Sequence, residues 1–235
     1  LLGIVPSEQA HTSSVKFITS VAELRNHKTE DELTLIENAV DISVDMHVKA
    51  MQIIRPGMKE CEIAAAVTET ALKNGGQLAF PVIATINGQT LHNHNHSHTC
   101  HDGQMLLLDT GAENAMHYCG DLSSTMPVGN HFTQRQRIIY DILLDAHRAA
   151  VDALRPGIHF HEVHILAATK ICEGLKGLGL VKGDPEDAAR SGAYALFFPC
   201  GLGHLMGLDV HDMECLGEVH VGYAGKAKST QFGFK

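Results

Sequence analysis

Two aspartates follow one another at a spacing that could support metal chemistry. Asp109 ends the hydrophobic run MLLLD, and Asp121 comes after the turn-rich stretch TGAEN. A hairpin centred near residue 115 would place the two side chains nearly opposite each other. Because adjacent carboxylates repel, such a pair either shares a proton or binds a divalent cation. The alternative, for any aspartate pair taken alone, is that each side chain caps a turn.

A glycine-rich segment near the end of the chain adds two candidate histidines. In FFPCGLGHLMGLDVHD, three glycines permit close backbone approach around His204, and His211 follows seven residues later. This pattern favours a pocket wall. A single histidine in such a segment is nevertheless more often a core or surface residue than a metal ligand.

Four histidines alternate with other residues in LHNHNHSH: His92, His94, His96 and His98. If this stretch is extended, its period of two places all four on one face, where they could hold a transition metal. The commoner explanation is a polar strand rim, which also binds stray nickel or copper. We therefore expect no physiological metal site in the run as a whole.

The surrounding sequence predicts the elements that must position these groups. Thr29 and Glu32 form a capping box before a long helix, in which Leu33, Ile36, Val40, Val44, Val48 and Met51 recur at helical spacing. Pro56 and Gly57 end this helix. A second helix over residues 59–76, the strand-like FPVIATING and the strand MLLLDTG give the order helix, helix, strand, strand.

A similar pattern recurs one hundred residues later. A helix from about Gln134 to Leu154 is predicted to end at a second Arg-Pro-Gly, followed by the helical stretch HFHEVHILAATKICEGLKGLG. At this offset, Ala50, Arg55, Pro56, Gly57 and Glu62 match Ala150, Arg155, Pro156, Gly157 and Glu162, and apolar positions such as Ile54 and Leu154 also correspond. The repeat suggests two halves related by a pseudo-two-fold. The alternative is that helix, Pro-Gly, helix is simply a common connection.

Composition narrows the classes of partner. The formal net charge is −9, and no cluster of Lys and Arg occurs, so we expect neither nucleic acid nor an anionic membrane as a partner. No apolar stretch reaches the roughly 20 residues of a membrane-spanning helix. Six scattered cysteines without a CxxC pair favour reduced thiols over disulfides or a zinc ribbon. We expect a cytoplasmic protein.

The motifs LLLDTGAENAMHYCGDLSSTMPVG and GLGHLMGLDVHD, in this order, resemble the pita-bread metallopeptidases, and most closely the branch of aminopeptidase P and prolidase. The resemblance extends from about Leu24 to Asp212. It implies an α+β pita-bread (creatinase/aminopeptidase-like) fold with pseudo-two-fold halves. It also implies an exopeptidase that hydrolyses the bond between an N-terminal residue and proline.

By this resemblance, Asp109, Asp121 and His204 are metal ligands, and Asp121 bridges two divalent ions. His92 and His211 contact the substrate and stabilise the tetrahedral intermediate. The implied mechanism is attack by a metal-bridging hydroxide, with Mn²⁺ as the expected ion and Zn²⁺ or Co²⁺ as alternatives. The expected partner is a proline-containing peptide, and a homodimer is left open.

The sequence departs from the family pattern in several places. Two glutamate ligands expected near the C-terminus do not occur before Lys235, Cys200 replaces a usual histidine, and Ser123 and Ser124 stand around the position of a usual arginine. We therefore expect a catalytic domain over residues 27–235 that is incomplete at its C-terminus and weak or inactive alone. Residues 1–26 would be the trailing edge and linker of an N-terminal domain.

Four other functions remain open from sequence alone. A prolidase would cleave Xaa-Pro dipeptides rather than longer peptides, and a creatinase-like enzyme would use the histidines without metal. The third is a non-catalytic binding module on the same fold. The fourth is histidine-rich metal storage, in which deletion of residues 93–98 would remove most metal binding.

Overall fold

The computed structural model describes Val5, Glu8 and residues 13–222. The chain divides into two compact units. The described part of the first unit comprises residues 13–130 and 205–222, together with Val5 and Glu8, and that of the second comprises residues 131–204. Across the described residues, no helix is long and apolar enough to cross a membrane.

From residue 13 onward, the first unit has three helices in succession, α1 (Val15–Asn26), α2 (Glu30–Ile53) and α3 (Glu60–Lys73). The predicted capping box of α2 is present, because Thr29 Oγ1 accepts from Glu32 N and the Glu32 carboxylate accepts from Thr29 N. Helix α2 ends at Ile53, ahead of the Arg-Pro-Gly turn, and α3 ends ahead of Gly75. A one-turn helix, α7 (Glu218–Val221), contacts α1.

The apolar positions that predict helix α2 do not form its buried face. Leu33, Val44, Val48 and Met51 are exposed. The buried positions are Ala39, Ile42, Ser43, Met46, His47 and Ala50. The period therefore predicts the helix correctly but not its inner face, where small and polar residues stand beside the core residues Ile42 and Met46.

The described part of the first unit continues with five strands. Strand β1 (Gln77–Leu78) pairs with β4 (Ala112–Glu113). Strands β2 (Ile83–Thr85), β3 (Met105–Thr110) and β5 (Leu122–Pro127) form an antiparallel sheet in the order β2-β3-β5. Asp109 lies opposite Ser123, so the β3/β5 hairpin centres on residue 116 and confirms the predicted hairpin. Leu106 and Leu108 point into a core shared with α2 and α3.

The second unit is helical over its described residues. Helix α4 (Gln134–Ala153) is capped by Thr133 and Gln136, and α5 (Phe160–Gly177) follows after the second Arg-Pro-Gly turn, as predicted. A short helix α6 (Pro185–Arg190) and a 3₁₀ turn (Ala193–Leu196) pack on α5. Their small core includes Cys172, Ala189 and Tyr194.

Candidate active site

Four of the five predicted site residues line one pocket of the first unit. His92, Asp109, Asp121 and His211 surround a cavity of about 200 Å³. Its remaining lining residues are Phe80, Pro81, Ile83, His94 and Val210. The pocket therefore combines acidic and imidazole groups with an apolar wall.

Glycines on both arms of the β3/β5 hairpin allow the two aspartates to approach each other. A Cβ atom at Gly111 would lie 1.8 Å from the carbonyl oxygen of Gly120, and one at Gly120 would lie 2.7 Å from the carbonyl oxygen of Ala39 on α2. Gly120 N donates to the carbonyl oxygen of Ala112 at 2.8 Å. Any side chain at these two positions would force apart the backbone segments that carry Asp109 and Asp121.

The environment of Asp109 shows that the two carboxylates repel each other. Burial raises the pKa of Asp109, and the neighbouring Asp121 charge raises it further. The Ser123 hydroxyl, which donates to Asp109, and His92 act in the opposite direction. A cation in the pocket would relieve this repulsion and keep both carboxylates ionised.

Helix α2 supports the back of this hairpin through two buried polar side chains. Ser43 Oγ accepts from Ala112 N at 2.9 Å. His47 Nε2 lies 3.3 Å from the carbonyl oxygen of Thr110, so this nitrogen carries the proton, and Nδ1 accepts from the Ser124 hydroxyl at 2.6 Å. Burial lowers the pKa of His47, which favours the neutral ring. Ser124, one of the departures from the family pattern, thus contacts a buried histidine.

The histidine run does not form one extended face. No regular strand includes residues 91–98, and His92 has a positive φ of 50°. His92 and His94 line the pocket, whereas His96 Nε2 bonds the carbonyl oxygen of Val82 at 2.9 Å and His98 bonds Glu60. The four histidines therefore do not share one face, because the rings of His96 and His98 form hydrogen bonds with Val82 and Glu60 instead.

Glu60 holds both ends of the loop that carries His92 and His94. Its side chain is fully buried, and it accepts from Ile86 N at 2.8 Å, from His98 N at 3.1 Å and from His98 Nδ1 at 3.0 Å. These bonds lower the pKa of Glu60 against the opposing effect of burial. The loop over residues 87–97 is closed at its base by one carboxylate.

His211 is oriented by a carboxylate outside the predicted set. Its Nδ1 donates to Glu214 Oε1 at 2.8 Å, which fixes the proton on Nδ1. Cys200 is exposed. His204 is the last described residue of the second unit and is half-buried, and its role as a ligand stays a prediction.

The donor set fits hard or borderline divalent ions. Two adjacent carboxylates, one with a raised pKa, lie beside imidazoles in a partly enclosed pocket. Carboxylate and imidazole ligands together suit manganese, zinc or cobalt. The first unit therefore supplies carboxylate and imidazole donors of the kinds that such an ion takes.

Sequence analysis missed four contributors to this site: His47, Glu60, His94 and Glu214. Glu60 and His47 stand on helices whose period gave no reason to separate a buried polar residue from an exposed one. His94 belongs to the run that the sequence analysis interprets as a rim. Glu214 follows the His211 motif but does not match the position of a family glutamate ligand, and its contact is instead with the His211 ring.

Comparison with known proteins identifies the family. The model of metallopeptidase family M24 matches residues 34–231. Xaa-Pro aminopeptidase of Escherichia coli K12 is 34% identical over 203 residues, which cover 84% of this chain and 45% of that protein. A probable Xaa-Pro aminopeptidase of Leptosphaeria maculans is 35% identical, with 79% of this chain and 33% of that protein covered.

A solved structure shows the same relationship in three dimensions. Zn-substituted E. coli aminopeptidase P in complex with product matches with a TM-score of 0.79 at 34% identity, over 83% of this chain and 44% of that one. The α+β pita-bread fold class is thereby confirmed. The chain spans less than half the length of these relatives. On these matches, the chain belongs to metallopeptidase family M24.

Proposed function

We propose that this protein is a metal-dependent exopeptidase that releases the N-terminal residue from peptides with proline in second position. The observation that carries the proposal is the Asp109 and Asp121 pair, which shares a pocket with His92 and His211. The names of the relatives supply the substrate class.

Asp109, Asp121 and His204 would hold two divalent ions, with Mn²⁺ as the proposed ion. When bound, such ions acidify water and polarise a carbonyl group. Membership of a metallopeptidase family and the Zn-substituted relative support a divalent metal. The ion's identity and the number two come from the resemblance and the donor set.

The residues of the chain itself would bind and orient the peptide. His211, with its proton fixed on Nδ1 by Glu214, presents the other ring nitrogen, and His92 approaches from the opposite loop. Phe80, Pro81 and Val210 give the pocket an apolar wall that suits a pyrrolidine ring. Ser123 donates to Asp109 and favours its ionised form.

Replacement of Asp121 tests the proposal. In the protein as it is made in the cell (the natural polypeptide), Asp121→Asn should lower the rate of Xaa-Pro hydrolysis by at least about a thousandfold. The circular dichroism spectrum should stay unchanged, which shows that the variant is folded. Asp152→Asn, on the exposed surface of α4, is the matched control and should be fully active. Full activity of Asp121→Asn would refute the proposal.

The same assay separates the alternatives. Cleavage of dipeptides but not of tripeptides would indicate a prolidase. Full turnover after exhaustive chelation would favour a creatinase-like enzyme. Absence of both metal binding and turnover would indicate a binding module. Cytoplasmic location and assembly as a homodimer stay predictions.

A further inference from the structure

A buried carboxylate lies directly beside one of the pocket histidines. Asp212 follows His211, and its side chain is only 1% exposed. One of its oxygens accepts from Arg25 Nη2, and the other accepts from Lys28 Nζ at 2.9 Å. Both cations come from the end of helix α1 and the turn after it, at least 184 residues earlier in the chain.

The residues around Asp212 form a closed segment, which we call the wall segment (residues 205–212). Asp212 N donates to the carbonyl oxygen of Leu205 at 2.9 Å and closes it. Cys119 N donates to the carbonyl oxygen of Gly207 at 2.9 Å, and Cys119 Sγ lies 3.9 Å from that of Leu208. The wall segment is thus attached two residues before Asp121.

The close packing of Asp212 is enforced by a glycine. A Cβ atom at Gly207 would lie 2.6 Å from Asp212 Oδ2. A buried charge without partners is costly, and removal of one partner leaves the other uncompensated. The two cations therefore keep the carboxylate, and with it the wall segment, in place.

A second ion pair of Arg25 provides a natural contrast. Arg25 Nη2 also donates to Asp209 Oδ2 at 2.9 Å, but the Asp209 side chain is 50% exposed. Exposed ion pairs contribute little to stability because water and salt screen them. The buried Asp212, not Asp209, is the partner that fixes the wall segment.

We propose that Arg25 and Lys28 are positioning residues that act through Asp212 to hold His211 at the pocket. Helix α1 and the turn after it thereby become part of the site's support. The catalytic consequence rests on the proposed function, whereas the attachment of the wall segment does not.

The reactivity of Cys119 tests the attachment without substrate or metal. Cys119 is buried beneath the wall segment, and Cys100 is buried in the core beside α3 as an internal reference. In the metal-free protein, Arg25→Gln should raise the rate of maleimide labelling at Cys119 at least about tenfold and leave Cys100 unchanged. The matched control, Asp209→Asn, should change the rate less than about twofold.

Equal labelling of Cys119 in wild type and Arg25→Gln would overturn the proposal, as would equal effects of Arg25→Gln and Asp209→Asn. Lys28→Gln, which keeps the Arg25 pair, is the second variant if Arg25→Gln does not fold. Arg25→Lys should restore slow labelling in part.

Kinetics in the natural polypeptide test the role of His211. Arg25→Gln should lower kcat/KM about tenfold at unchanged metal content, and less than about twofold further in a His211→Ala background. Equal losses in both backgrounds would overturn the assignment to His211. If the wild-type polypeptide hydrolyses no Xaa-Pro peptide, the proposed function fails, while Cys119 labelling still decides the attachment.

Discussion

The two Arg-Pro-Gly helix pairs share one local design but differ in what their inner faces carry. Gly57 and Gly157 have φ of 92° and 89°. Arg55 and Arg155 donate to the carbonyl oxygens of Ile53 and Ala153 at 3.2 and 3.1 Å. The matched turns show that the repeat seen in the sequence is a repeat of structure within each unit.

Residues one hundred positions apart can also be compared by their burial, which is the same at some pairs of positions and different at others. Several core positions correspond: Met46, Ala50, Ile63 and Val67 in the first pair, and Ala146, Ala150, Val163 and Ala167 in the second. By contrast, Glu60 is 0% exposed while Phe160 is 46% exposed. His47 is buried, whereas His147 is exposed.

Positions buried in both helix pairs are structural, whereas positions buried only in the first pair lie near the candidate site. The apolar positions are buried in both pairs because the two helices of each pair pack against each other there. The buried polar groups Ser43, His47 and Glu60 occur where strands and a loop carry the candidate site. The one buried histidine of the second pair, His164, instead bonds the Tyr194 hydroxyl at 2.7 Å.

The largest effect in this comparison should come from a methyl group at Gly120, where the chain lies against the backbone of helix α2. Gly120→Ala places a Cβ against the backbone of α2, so we expect a loss of at least about 4 kcal/mol or failure to fold. Gly174→Ala, between α4 and α5, meets only the Ile142 side chain and should cost about 1–3 kcal/mol. Urea unfolding measures the loss of stability in each variant. Equal losses would contradict the claim that backbone packs against Gly120 whereas only a side chain packs against Gly174.

Loss of the buried carboxylate should be the next largest effect. Both carboxylate oxygens of Glu60 accept from backbone N–H groups, and in Glu60→Gln an NH₂ group, which cannot accept, replaces one of them. We therefore expect the free energy of unfolding to fall by about 3 kcal/mol. Phe160→Ala, at the equivalent position, should cost less than about 1.5 kcal/mol because nearly half of that side chain is exposed. A similar loss in both variants would mean that Glu60 acts only as packing.

The buried histidines should make both units sensitive to acid. Burial lowers the pKa of His47 and His164 below the usual value of 6.5, so the unfolded chain binds protons first. Their contribution to stability is complete above pH 6.5 and is lost as the pH falls through the folded pKa. His164→Gln should reduce this acid loss and His147→Gln should not, as measured by urea unfolding between pH 7 and 5.

The smallest effect should be equal in the two turns. Gly57→Ala and Gly157→Ala each put a methyl group on a backbone with positive φ but in open space. Each should cost about 1–2 kcal/mol. A difference of more than about 1 kcal/mol between the two, measured by thermal unfolding, would show that the turns are not equivalent.

The sequence predicted the fold where periodicity and turn residues act locally. The capping box at Thr29, the ends of both helix pairs and the hairpin between Asp109 and Asp121 follow from short-range patterns. The buried face of α2 did not follow, because the buried polar residues Ser43 and His47 stand between its core residues and exposed apolar residues such as Val44 and Val48 mask the pattern. Arg25 at the end of helix α1 pairs with Asp212, 187 residues later in the chain, and no local pattern predicts that contact.

The site shows the same division. Asp109, Asp121, His92 and His211 were found because a motif marks them, and the structure places them around one pocket. Glu60 and His47 carry no motif. Their importance arises from burial and from partners that lie far away in sequence, which no local pattern records.

The most direct test is a manganese titration of the wild-type natural polypeptide beside its Asp109→Asn variant, with hydrolysis of an Xaa-Pro peptide followed in the same samples. We predict that the wild type binds about two ions and gains activity as they bind, and that the variant loses both. Activity that is unchanged by chelation, or full metal binding and turnover by Asp109→Asn, would contradict a carboxylate-bound metal as the basis of function.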